Sequence, residues 1–271
     1  MGKPQIVLFA ILLGFVCCGR KADPLSNTVC QVTFTLTSNT DNSRYNSGFI
    51  FKVNDTLPPL YLTAHHVASG YDGNKYYDWD LVQDYFRDAN LWSIQDNSVR
   101  FQLGKNLPIP NAKVSEVATA LDLAAFYLAS PGPTNYLKPA SSPAKVGDTV
   151  RLFAKLTQTD SLWHPGIVIY ATDSLLVYQL VNHGLISLGG SSGSAVLNNK
   201  NEVVSNSFGG IPLSSVEQRV GVAKEYPFIL QFLDHLEMGK TYGIGVPIGL
   251  ISTSLIHAIQ VRQMQPVSLA P

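Results

Sequence analysis

Short runs rich in β-branched and aromatic residues, separated by Gly, Pro, Asn and Asp turns, predict an all-β fold, a barrel or a sandwich, for this 271-residue chain. A hydrophobic content of 45% supplies a sizeable core. A stretch rich in Pro, Gly and Ser near the middle of the chain divides the strands into two groups.

The predicted strands come in order. VCQVTFTLT (Val29 to Thr37), GFIFKV, LYLTAHHV and LDLAAFYLA precede the connection ASPGPTNYLKPASSPAKVGD, Ala129 to Asp148. TVRLFAKL, GIVIYATD, LLVYQLV, SAVL and EVVSNSF follow it. Each is too short for a helix of ordinary length and ends at turn residues. Two helices are expected. One covers 225–238, where Phe228, Ile229, Phe232, Leu233 and Leu236 recur at helical spacing, and the other runs from Ile248 to about Val261 behind Pro247. No repeat of solenoid period and no low-complexity tract interrupts this order.

Charge and termini narrow the function classes. With 19 Lys plus Arg against 19 Asp plus Glu the formal charge is zero, so the electrostatic attraction that draws proteins onto nucleic acid is missing and no nucleic-acid partner is expected. No apolar run reaches the roughly 20 residues of a spanning helix. The N-terminus has Lys3, an apolar run from Ile6 to Val16, then small residues and a charged exit, the layout of a secretory signal peptide over residues 1–19. Export to the periplasm or the exterior is therefore expected. The segment also resembles a bacterial lipoprotein signal with Cys17 or Cys18 as the lipidated residue, although Val16 and Cys17 stand where such signals usually carry Gly, Ala or Ser. A lipid there is the only membrane contact expected. Cleavage near residues 17 to 19 leaves Cys30 as the thiol of the folded domain, so the fold is expected to stand without an internal disulfide.

Three segments carry chemistry. GGSSGSAV places Ser192 between glycines, which let the backbone turn sharply and its amide protons converge. A serine hydroxyl is a weak nucleophile at neutral pH. It needs an imidazole to take its proton and a carboxylate to hold that imidazole in the right tautomer. YLTAHHVASG supplies His66 and TALDLAAFYLA supplies Asp122, and the order His, Asp, Ser is one of the known chain orders of this triad. Of the adjacent His65 and His66, a strand running into a turn would aim only one at Ser192. No HExxH motif and no Cys pair is present, so neither a metal nor any other cofactor is expected.

These segments resemble the trypsin-like, chymotrypsin-fold serine proteases, and among them the bacterial HtrA-like branch. Thr63, Ala64, His65, His66 and Val67 match the segment of the base, Asp122, Leu123 and Ala124 that of the carboxylate, and Gly190 to Ala195 that of the nucleophile. SGFIF before the histidines, AVLNNKNEVVSNS after the serine and YGIGVPIGLI near the end extend the likeness over residues 47 to 252. Val67 stands in place of the disulfide cysteine of the animal enzymes, and Ser194 with Ala195 in place of Gly-Pro.

The resemblance implies two antiparallel six-stranded β-barrels with a C-terminal helix, over a domain at 27–265. The first barrel would cover about 27–130, the connection 130–148 and the second barrel about 149–265. It implies peptide-bond hydrolysis of a protein or peptide substrate through an acyl-enzyme. His66 rather than His65 would be the base and Ser192 the nucleophile, with the backbone amides of Gly190 and Ser192 as the oxyanion hole. Ser207, Phe208 and Gly209 would wall the specificity pocket, with Ile186 near its base and no acid there to pair a substrate Lys or Arg. Residues after 252 leave no room for the PDZ domain of HtrA proteins. Two segments exceed a minimal protease: the acidic and aromatic stretch Tyr71 to Asn90, read as a solvated loop or a rim that contacts a partner or substrate, and residues 211–240, expected beside or over the pocket, either packed on the second barrel or narrowing access to the cleft. The competing class is a non-catalytic binding or sensor protein on the same fold. Retention of all three triad residues favours the enzyme.

Overall fold

The computed structural model describes residues 25, 27–36, 46–68, 71–72, 75–76, 86–96, 98–113, 121–129, 134–181, 183–225 and 227–264. The signal segment with Cys17 and Cys18, and much of the acidic stretch after the histidines, lie outside them.

Twelve strands close into two antiparallel barrels. The first has the order β1 (Val29–Leu36), β2 (Asn46–Phe51), β3 (Leu60–Thr63), β8 (Ala124–Leu128), β7 (Arg100–Leu107), β6 (Phe86–Ser93). The second runs β10 (Trp163–Ala171), β11 (Leu176–Leu180), β14 (Lys240–Pro247), β13 (Val203–Leu213), β12 (Ala195–Leu197), β9 (Thr149–Phe153). A separate ribbon pairs β4 (Tyr71–Asp72) with β5 (Lys75–Tyr76). The fold implied by the family resemblance is therefore the fold observed. The reading of 71–90 as one loop is corrected: its last five residues belong to β6, which pairs along β1.

Closure removes sheet edges, so each strand has one inward and one outward face. In β10, His164, Gly166 and Val168 are buried while Ile167 between them is exposed. Phe49, Phe51, Leu91 and Phe126 fill the first barrel and its margins, each contributing about 1.5–3 kcal/mol through burial. Val150, Leu152, Val168, Tyr178 and Val196 fill the second. Cys30 is buried in the first core, and burial pushes its thiol up to about 12, so it stays a protonated packing group at neutral pH.

The connection before β9 is hydrogen-bonded to both barrels. Leu137 exchanges bonds with β2 and its exit through the Ile50 carbonyl and the Lys52 amide, at 2.8 and 2.9 Å. Lys138 and Ala140 exchange bonds with Val203 of β13, at 2.8 and 2.9 Å. The segment that separates the barrels in sequence thus fastens them in space.

Two helical expectations have different outcomes. The C-terminal helix is present as Ile248–Met264, burying Ile248, Ile251, Leu255, Ala258 and Ile259 along one stripe. The single helix over 225–238 is replaced by an α-helix at Val216–Glu225 and two 3₁₀ turns, Pro227–Gln231 and Leu233–His235. Pro227 explains the break, because a proline is tolerated only in the first turn of a helix. The earlier helix starts at a side-chain cap: Ser215 Oγ accepts the Gln218 amide at 3.1 Å, and Gln218 Oε1 reaches back to accept the Ser214 amide at 2.8 Å. The apolar stripe is nonetheless buried at Phe228, Ile229, Phe232 and Leu236, with Leu233 half-buried and the Phe232 ring 5.4 Å from that of Tyr170 on β10.

Candidate active site

His66 lies in a one-turn helix, α1 (His65–Ala68), that begins two residues after β3 ends at Thr63. The strand expected to carry the histidine pair is thus corrected to a helical turn. Adjacent side chains of a helix still diverge by about 100°, so the two imidazoles part. His65 goes into the core, 1% exposed, and His66 keeps its side chain 20% exposed.

Asp122 precedes β8 by two residues and is 2% exposed. Both its oxygens face His66: Oδ1 accepts the His66 backbone amide at 3.0 Å, and Oδ2 lies 2.8 Å from Nδ1. A carboxylate at that distance makes Nδ1 the protonated nitrogen and leaves Nε2 with its lone pair. β3 pairs with β8 through Thr63 and Ala124, which brings the two segments to the same end of the first barrel.

Ser192 lies on the loop entering β12, between Gly190 and Gly193, both at a φ of +87°. Three of the loop's amides are held by backbone carbonyls. The Ser191 amide donates to the Leu188 carbonyl at 3.0 Å, Ser194 to Ser191 at 2.9 Å and Gly193 to Ser207 at 2.6 Å. Among the described residues the amides of Gly190 and Ser192 have no such partner. Two unpaired donors flanking a glycine-rich turn can receive an anion. The loop also rests on the first barrel: Ser47 Oγ donates to the Gly190 carbonyl at 2.8 Å, and the Ser47 amide to the Ser192 carbonyl at 3.1 Å. Gly193 is required there, since a Cβ would collide with the Ser47 carbonyl and Thr63 Oγ1.

The Ser192 hydroxyl donates to the Phe208 carbonyl at 3.4 Å, its one hydrogen bond among the described residues, and none joins it to His66. Phe208 is the extra residue of a bulge in β13, where Ser207 pairs with Gly245 and Gly209 with Ile244. Bulges re-aim the backbone next to sites of this kind. Behind it, Ser207 Oγ meets the buried Tyr178 hydroxyl at 3.2 Å. Burial raises the Tyr178 pKa, its largest influence, so the phenol stays neutral. Ile186 is buried and tied to β14, its amide donating to Thr241 Oγ1 at 3.0 Å and its carbonyl accepting from that hydroxyl at 3.2 Å. The sequence reading missed Ser47, Thr241 and Tyr178. For Ser47 the only local signal was its place at the head of SGFIF.

Two closed six-stranded barrels with a histidine, a carboxylate and a glycine-flanked serine loop define a hydrolase of the chymotrypsin-like class. The chain matches the family model described as the trypsin-like peptidase domain over residues 46–205 and belongs to that family. No curated protein matches it in sequence. Among solved structures it is similar to a serine endoprotease of Yersinia pestis, at 13% identity and a TM-score of 0.51, covering 88% of this chain and 65% of that one. It is also similar to the inactive form of a Mycobacterium tuberculosis protein, Rv3671c, at 13% identity and a TM-score of 0.49, covering 89% and 90%. At such identities the likeness concerns the fold.

Proposed function

We propose that the chain is an exported serine endopeptidase in which Ser192 is the nucleophile, His66 the general base, Asp122 the group that orients it, and the amides of Gly190 and Ser192 the oxyanion hole. The observation that carries this reading is the double hold of Asp122 on His66, through backbone and ring. It is the arrangement a base needs if Nε2 is to accept a proton.

In the proposed reaction the Ser192 hydroxyl leaves the Phe208 carbonyl and donates to Nε2 of His66. As Oγ bonds to the scissile carbonyl carbon, its proton passes to Nε2 and the carbonyl oxygen becomes an anion between the two amides. Each such donor is worth about 3–4 kcal/mol to the transition state. His66 then gives the proton to the leaving amine as the C–N bond breaks, leaving an acyl-Ser192 ester. Water, deprotonated by His66, attacks the ester and restores the hydroxyl. Asp122 stays ionised and stabilises the imidazolium in both steps.

The residue before the scissile bond is small or apolar in this reading. Ile186, Ser207, Phe208 and Gly209, the expected pocket residues, carry no charge to pair a Lys or Arg. The N-terminal segment directs export, and a lipid at Cys17 or Cys18 would tether the enzyme to a bacterial membrane. Ser192→Ala is expected to lower kcat on peptide substrates by about 10⁶-fold with the fold intact. Unchanged hydrolysis would overturn the assignment.

A further inference from the structure

We propose that Ser47, on the first barrel, is a positioning residue for the nucleophile loop on the second, and that its hydroxyl sets the direction of the oxyanion-hole donors. The inference rests on the assignment of Ser192 above and adds a residue outside the triad.

Ser47 is fully buried on β2 and touches the loop at two carbonyls. Its Oγ donates to Gly190 O at 2.8 Å, and its amide donates to Ser192 O at 3.1 Å. A carbonyl shares its peptide plane with the amide of the next residue, so each contact fixes a whole plane. The Gly190–Ser191 plane is held by Ser47 Oγ at one end and by the bond from the Ser191 amide to Leu188 O at the other. The Ser192–Gly193 plane is held by the Ser47 amide and by the bond from the Gly193 amide to Ser207 O. Between them lies the Ser191–Ser192 plane, whose carbonyl accepts from Ser194 and whose N–H is unpartnered. With its flanking planes fixed, that N–H has one direction.

Gly190 is the more sensitive point. Glycine at a φ of +87° lies in a region it enters and leaves at little steric cost. Without an anchor, its neighbouring peptides would turn together and swing the Gly190 N–H away from the anion. The Ser47 hydroxyl is the anchor on its carbonyl side. Thr63 secures Ser47 in turn, its Oγ1 donating to Ser47 O at 2.8 Å, and Thr63 stands three residues before His66. One polar chain from the end of β3 through Ser47 to Gly190 therefore couples the placement of base, nucleophile and oxyanion donors across the two barrels.

The test is Ser47→Ala in the full-length mature enzyme, which keeps the backbone bond to Ser192 and removes only the hydroxyl. The expected result is a fall in kcat of about 10-fold or more, KM within about twofold and an equal fall in the rate of fluorophosphonate labelling. Affinity for a peptide aldehyde, which forms the tetrahedral anion, should drop by the same factor, and affinity for an unreactive product peptide should hold. Ser47→Thr, which keeps the donor, should recover most of the rate. A folded Ser47→Ala enzyme with wild-type kcat and labelling rate would overturn the proposal, as would an equal loss in Ser47→Thr and Ser47→Ala. Were the alanine variant not to fold, the threonine variant alone decides: a normal melting temperature with a 10-fold loss of kcat refutes the hydroxyl's role, and a near-normal kcat supports it. A wild-type enzyme that takes no label would instead refute the assignment of Ser192.

Discussion

Asp122 grips His66 at two atoms, accepting the backbone amide at 3.0 Å through Oδ1 and facing Nδ1 at 2.8 Å through Oδ2. The backbone contact fixes where the histidine stands, and the ring contact fixes which nitrogen carries the proton. Asp122→Asn preserves the first and reverses the second, because a side-chain NH₂ facing Nδ1 makes that nitrogen an acceptor and moves the proton to Nε2. The expected outcome is a loss of about 10⁴-fold in kcat at neutral pH with little change in melting temperature. A loss below tenfold would show that Asp122 does not set the tautomer.

The two histidines separate stability from rate. His66→Ala should abolish turnover nearly as completely as loss of the serine, with a near-normal melting temperature. His65 is buried in the core at 1% exposure, so His65→Ala should lower the melting temperature while kcat per folded molecule stays within a few-fold. Rate and melting measurements on both variants check this, and the reverse pattern would shift the assignment by one residue.

His164 makes the second barrel sensitive to acid. It is fully buried on β10, its Nε2 donates to the Ala154 carbonyl at 3.1 Å and its Nδ1 has no partner. Burial lowers its pKa, and the His183 ring 5.3 Å away adds to the effect, against the opposing bond to the Ala154 carbonyl. As pH falls through the ordinary histidine value of about 6.5, the unfolded chain binds the proton before the folded one does. The stability from the neutral imidazole is therefore complete above that pH and is lost as pH drops below it. The melting temperature should fall between pH 7 and pH 5, and less steeply in His164→Gln. Parallel curves for the two proteins would remove His164 as the cause.

The fold was legible, and the three segments proposed to carry the chemistry could be picked out, because their signals are local: a run of β-branched residues, a glycine on each side of a serine, an Asp ahead of an apolar strand. β6 and β7 were not. FRDANLWS and RFQLGKNL carry Arg, Asp, Asn, Gln and Lys, and β7 alternates half-buried Phe101 and Leu103 with exposed polar residues instead of showing a continuous apolar run. The helix expected at 225–238 failed for the opposite reason. Its apolar spacing was real and its side chains are buried, but Pro227 and the cap at Ser215 place the α-helix one segment earlier. Ser47 could not be read as a site residue from its surroundings, because its partner Gly190 is 143 residues away and the contact is to a carbonyl that any residue carries.

If Ser192 is an activated nucleophile, it reacts with a fluorophosphonate, and labelling followed by mapping of the modified peptide reads this directly. One equivalent of label is expected on Ser192, abolished in Ser192→Ala and strongly slowed in His66→Ala. A folded protein that takes no label, or takes it at Ser191, Ser194 or another residue, would contradict the assignment of Ser192.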